Sequence, residues 1–272
     1  MKPILTLIML LISAPMFAQQ NNTDMIVQEG KMLYRSEMAS WNGTDLMLEK
    51  FKGADLEKIG GYFSYEKNSN EINCVFFNRD AVPKIIFAVT FDSTLEIVNA
   101  RVNNEERAAT KLELEYYAIR QTTLELVSSD SFFLHYKNTS LNIIPIIHNK
   151  TKKVYVLTGP KENGAVLIGN DYLLTFDDKG LLLEKKRLHK NLIPIGYAEK
   201  DKEVVATMHS HLPETGDYIT ATDICTLMLY EKVARWKQHY VISANYVSIW
   251  DCYRNQLYVL TKEAWEKIGT KP

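Results

Sequence analysis

The segment Thr222–Trp236, TDICTLMLYEKVARW, is apolar nearly all round where it starts, so a helix formed there must be covered on every side. Strand-like runs stand before and after it: EVVATMHSH ahead, HYVISANYVSIWDC and NQLYVLT behind, with KEAWEKI as a closing helix. A buried helix flanked by strands requires a layered fold, of α+β or α/β-layered type. The preceding runs KVYVLTG, AVLIGNDYLLTFD and LLLEKKRL add strands, broken by PKENG and the tight turn DDKG.

The first half has its own pattern. Asp24 to about Met38 reads as a helix with Gly30 as a weak point, and NGTDL at Asn42–Leu46 as a turn into a second short helix ending at Phe51. GYFSYEK, INCVFFN, KIIFAVTFD and LEIVNARV then form an antiparallel meander, joined by NSNE, RDAVP and DSTL. A long helix from Asn104 to Val127 follows, capped by Asn103 or Asn104. The pattern changes at Ser128–Ser131. The expected organisation is therefore a leader over 1–18, an α-β-meander-α domain over 19–130 and a mixed-sheet domain with a buried helix over 131–272.

The leader rests on MKPILTLIMLLISAPMFAQQ: one early cation, Lys2, an apolar run Ile4–Ile12, then small residues and Ala18 before Gln19. The run is short for a membrane span. The expectation is export to a periplasmic or extracellular space, with no stable span after cleavage; the FAQQ ending resembles exported proteins of Bacteroidetes-type bacteria. A net charge of −1 without a basic block gives nucleic acid nothing to bind. The three cysteines, Cys74, Cys225 and Cys252, are no disulfide framework and read as buried apolar residues, with a Cys225–Cys252 bridge the alternative.

Chemistry concentrates in HSHLPETGDYITATDI, His209–Ile224. Residues two apart on a strand share a face, so His209 and His211 reach one ion. Asp223, in the first turn of the buried helix, supplies a third ligand after a loop long enough to fold back. Two imidazoles and a carboxylate leave a fourth position for water, as in catalytic zinc sites. The same residues have plainer readings. Thr220-x-x-Asp223 is an ordinary capping box, and the histidines could be exposed strand residues.

The order strand, His-x-His, loop and acid-headed helix resembles the JAMM (MPN-plus, JAB domain) zinc metalloproteases, over roughly Lys153–Cys252. ENGAVLIG supplies Glu162, Ala165, Leu167 and Gly169 at that family's upstream spacing; His209, Ser210, His211, Pro213, Thr220 and Asp223 follow. The resemblance implies Zn2+ on His209, His211 and Asp223, Glu162 as the base, and the Thr220 hydroxyl at the oxyanion. It implies a peptide or peptide-like substrate, the N-terminal domain serving to select it or to hold a protein partner. The sequence departs from the pattern in an inserted Leu212, in Thr220 for the usual Ser, and in a strand where a helix normally precedes Glu162. Glu162 also reads as the idle tip of a Pro160–Gly164 hairpin, with Glu184 as a reserve base. The alternative is a non-catalytic JAMM-like binding or structural module. His135, His148, His189 and His239 lack ligand spacing and read as surface or half-buried residues; Tyr246, Trp250 and Trp265 read as core.

Overall fold

The computed structural model describes residues 3–148, 150–197 and 204–269, with side chains from 22 to 268. Met1 and Lys2 of the expected leader lie outside the described residues; the backbone from Pro3 is helical through Ala18. The class is α+β. The chain divides into two units, Met1–Met32 with Lys202–Pro272, and Leu33–Asp201; Ser128–Ser131, expected as a boundary, lies inside the second. Among the described residues, no helix is long and apolar enough to cross a membrane.

The chain opens with helix α1 (Pro3–Lys50). It is continuous, which corrects the expected turn at Asn42–Leu46. The reason is tertiary: a Cβ at Gly43 would lie 2.7 Å from Cys74 Sγ, so glycine lets the helix backbone approach the sheet beneath it. Asn42 Nδ2 donates to Leu95 O at 2.8 Å, which uses the turn-forming amide as a tether.

Strands β1 (Ile59–Asn68), β2 (Glu71–Asn78) and β3 (Lys84–Phe91) form the expected meander, but the fourth run, LEIVNARV, is mostly not a strand: Ile97–Asn99 is a 3-10 turn and only Arg101 and Val102 enter the short β4 (Arg101–Asn103); β5 (Arg107–Ala108) also pairs with β3. Alternation assigns the faces. On β2, Ile72, Cys74 and Phe76 pack with Ala39 and Met47 of α1. Val75 and Phe77 pack on the other side with Tyr116 of α2 (Lys111–Ser129). The expected helix start at Asn104 is too early. Thr110 is the cap, because Thr110 and Glu113 form the reciprocal capping box. Asn103 instead accepts from Glu105 N in a tight turn at 2.8 Å.

A second sheet orders β10 (Leu182–Arg187), β9 (Tyr172–Phe176), β7 (Thr151–Pro160) and β6 (Thr139–His148). Its Val154, Val156, Tyr172, Leu174 and Phe176 pack against Ile119 and Val127 of α2. Burying each such side chain stabilises by about 1.5–3 kcal/mol. The run AVLIGNDYLLTFD is two strands in two sheets. Gly169 and Asn170 both take positive φ, 83° and 49°, and turn the chain from β8 (Ala165–Gly169) into β9. A Cβ at Gly169 would also meet Asn191 O at 2.2 Å, at the end of β11 (Leu192–Gly196), the partner of β8.

Glu37 of α1 is held where burial raises its carboxyl from 4.5 to about 7, opposed by a hydrogen bond from Asn142 Nδ2 at 3.3 Å. An acid with a raised folded pKa keeps its proton while the unfolded chain has lost it. Stability therefore falls as pH rises from 4.5 to about 7, then levels. One pKa unit is about 1.4 kcal/mol, and partial exposure reduces the yield, so a loss on the order of 1–3 kcal/mol is expected. Urea unfolding of wild type and Glu37→Gln across that range checks it; the substituted protein should show a flatter profile.

The other unit contains the fourth sheet, in the order β12 (Ala206–Ser210), β13 (Gln238–Ile242), β14 (Tyr246–Asp251) and β15 (Gln256–Thr261). HYVISANYVSIWDC is thus two strands, not one, because Ser243 closes a turn by accepting from and donating to Tyr246. β12 and β13 are parallel, joined by the buried helix α3 (Ala221–Ala234). Gly30 is the contact point of α1 with α3: a Cβ there would lie 2.7 Å from Ile224. Trp250 is fully buried, Tyr246 and Trp265 are half-buried, and helix α4 (Lys262–Gly269) closes the chain.

Candidate metal centre

In a β-α-β unit the carboxyl end of the strands and the amino end of the helix open on the same side, where ligand sites gather. The residues of interest stand there. Along β12, Thr207 and His209 are buried while Ala206, Met208 and Ser210 face out; His211 continues the alternation inward. His211 lies one residue past the strand, but its N–H still donates to Ile242 O at 2.9 Å, which keeps it in register with His209.

The loop to α3 is pinned at its far end. Ile219 N donates to Ser248 Oγ of β14 at 3.1 Å, and Asn245 Nδ2 donates to both oxygens of Asp217 at 3.1 and 3.0 Å. Thr220 is the N-cap. Its hydroxyl accepts from Asp223 N at 3.1 Å, while Asp223 Oδ2 accepts from Thr220 N at 2.9 Å. The capping box therefore exists, and it aims the Asp223 carboxylate back toward β12. Thr220 Oγ1 also lies 2.9 Å from Thr222 Oγ1.

The result is a buried cluster. Asp223 is 1% exposed, His209 6% and His211 7%. Asp223 Oδ1 is 3.8 Å from His209 Nε2, and Oδ2 is 3.4 Å from His211 Nε2. One ligand atom from each of the three residues lies within 4.8 Å of the others. Those separations are longer than direct hydrogen bonds. Bonds of about 2.0–2.1 Å to a tetrahedral zinc put neighbouring ligand atoms roughly 3.3–3.4 Å apart. The two distances run to different oxygens of Asp223, so one shared ion needs a small shift of the carboxylate or of the His209 ring. The donor set fits a divalent ion.

Glu162 has a different setting. It occupies the exposed tip between β7 and β8, where its Oε1 accepts from Asn138 Nδ2 at 3.0 Å. Glu184 is an exposed residue of β10.

Two histidines read from the sequence as surface or half-buried are fully buried. In the larger unit, His189 Nδ1 lies 2.7 Å from Asp171 Oδ1, which also accepts from His189 N at 3.0 Å. That carboxylate–histidine pairing is the one that accompanies metal-ligating imidazoles. In the smaller unit, His239 Nε2 lies 2.8 Å from His209 Nδ1, and its Nδ1 2.7 Å from Thr207 Oγ1. Burial, with the neighbouring His209, pushes His239 down to about 3, against the pull of Asp223, so its ring is neutral at pH 7. Neither residue has local ligand spacing. The only sequence signal for His239 was its place on the strand following a buried helix, beside the histidine strand. His135 and His148 are exposed, as expected.

The three cysteines are buried thiols with no bridge, and burial pushes Cys74 and Cys252 up to about 12. A cavity of about 710 Å3, lined by Val205, Trp236, Lys237 and Arg254 among others, lies at the opposite end of β12 and β13 and includes no residue of the cluster. No family model, curated protein or solved structure matches this chain.

Proposed function

We propose that this protein binds one zinc ion through His209, His211 and Asp223 and is a metal-dependent hydrolase of an amide bond in a peptide or peptide-like substrate. The observation that carries the reading is the convergence of two imidazoles and a carboxylate, all buried, with one ligand atom of each within 4.8 Å of the others. When bound, zinc supplies a water acidified to a pKa of about 7 and polarises a carbonyl. The chain's own part is to bring two buried imidazoles and one buried carboxylate together. The helix cap at Thr220 fixes the carboxylate. In the JAMM-like assignment Glu162 would serve as the proton acceptor and the Thr220 hydroxyl would donate to the oxyanion.

Metal analysis of the purified protein should find about one zinc per chain, and a peptide library should yield cleavage that a chelator abolishes. The placement of Glu162 at an exposed hairpin tip, bonded to Asn138, favours a second reading: a JAMM-like module that binds metal or a partner without turnover. Zinc without any cleavage would select it. Export is part of the proposal, supported by the leader-like first residues. N-terminal sequencing should then find the mature chain beginning at or near Gln19; retention of Met1 in the exported protein would overturn it.

A further inference from the structure

We infer that His239 is the positioning residue of this metal centre: it fixes the tautomer and ring orientation of His209 through a buried chain, Thr207–His239–His209. The inference rests on the metal-site reading above and goes beyond it to a residue that is no ligand.

The geometry leaves little choice. His209 Nδ1 and His239 Nε2 are 2.8 Å apart, so exactly one of them carries the shared proton. In one arrangement His239 donates, His209 accepts at Nδ1, and His209 then carries its own proton on Nε2, the atom that faces Asp223. That imidazole cannot ligate. In the other arrangement His209 donates from Nδ1 to His239 Nε2. His239 then carries its proton on Nδ1 and donates to Thr207 Oγ1 at 2.7 Å. Only this arrangement presents a lone pair at His209 Nε2. A metal there selects it, and the chain stabilises it in turn.

The fold builds this chain deliberately. Thr207 and His239 are register partners in the parallel β12–β13 pair, so their side chains share the buried face. His239 is 0% exposed, and Trp236 packs against its ring with centroids 6.4 Å apart. The orienting contact to His209 Nδ1 is made by this buried ring. Metal-ligating imidazoles are generally held through their second nitrogen, and losing that partner costs roughly 10- to 100-fold in metal affinity.

The test compares zinc affinity, by competition with a chromophoric chelator, in wild type, His239→Leu, His239→Gln and Thr207→Val. The absorption spectrum of the cobalt-substituted protein and imidazole nitrogen NMR of the zinc-loaded protein accompany it. His239→Leu should bind zinc roughly 10- to 100-fold more weakly and shift the cobalt spectrum. His239→Gln, whose amide oxygen can accept from His209 Nδ1–H, should recover part of the loss. NMR should show His209 protonated at Nδ1 in the zinc-loaded wild type. If His239→Leu fails to fold, Thr207→Val carries the test with a smaller loss in the same direction. Wild-type zinc binding with unchanged affinity and cobalt spectrum in the foldable variants overturns the inference and leaves the metal site standing. A wild type that binds no zinc overturns both.

Discussion

Asp223→Ala is expected to empty the metal site, and His209→Ala to do the same. Structural zinc sites with four ligands are worth about 10–16 kcal/mol, or roughly 3–4 kcal/mol per ligand, so one deletion should weaken binding by roughly 10²- to 10³-fold. Asp223 has two jobs, because its carboxylate also accepts from the N–H of the Thr220 cap. Asp223→Asn separates them. The amide oxygen still caps α3, so thermal stability of the metal-free protein should stay near wild type, while zinc affinity falls with the lost charge. Asp223→Ala should lower both. Elemental analysis after gel filtration, with chelator competition, measures the first quantity, and thermal unfolding of the stripped proteins the second. If wild type and all three variants hold the same amount of zinc, the site is elsewhere; if all are metal-free after refolding with zinc, there is none.

How the cluster could be seen in the sequence follows from what is local about it. His209 and His211 are read from the period of a strand, and Asp223 from the cap of a helix; both rules act within a few residues. The same locality explains the misses. Gly43 reads as a turn because its reason to be glycine, Cys74 Sγ, is 31 residues away. His239 reads as idle because its partner His209 lies 30 residues earlier on the neighbouring strand. Strands β6 and β11 have no counterpart among the runs read as strands, and each contains a proline, Pro145 and Pro194, a residue that argues against a central strand. Both are places where proline is tolerated: β6 is the edge of its sheet and β11 has a single partner. The helix α2 began late because two asparagines and a threonine competed for the cap, and Glu113 decided it. Its carboxylate satisfies Thr110 N while also accepting from Arg107 and from the Tyr65 hydroxyl. The Thr110-x-x-Glu113 spacing is the local capping-box signature of this start, whereas the Tyr65 contact comes from a distant strand.

Glu162→Gln separates the hydrolase from the binding module. The substitution keeps the size of the side chain and removes a base. Glu162 is exposed, and it accepts a hydrogen bond from Asn138 that a glutamine oxygen can also accept. Zinc content and thermal stability should therefore match wild type. If Glu162 is the general base, turnover of a cleaved peptide should fall by roughly 10²- to 10⁴-fold, the usual worth of general acid–base catalysis. The loss should appear in kcat/KM without a matching change in zinc affinity, because a base acts on the bound water and does not hold the ion. Asn138→Ala is the companion experiment. It removes the hydrogen bond that Asn138 gives the Glu162 carboxylate, so a base that must leave that bond to reach the reacting water should work as well or better, while a base that relies on it should lose activity. Unchanged turnover in Glu162→Gln, with zinc-dependent cleavage intact, removes Glu162 from the mechanism and requires another proton acceptor. Loss of zinc in Glu162→Gln would make it a ligand and place the assignment of Asp223 in question.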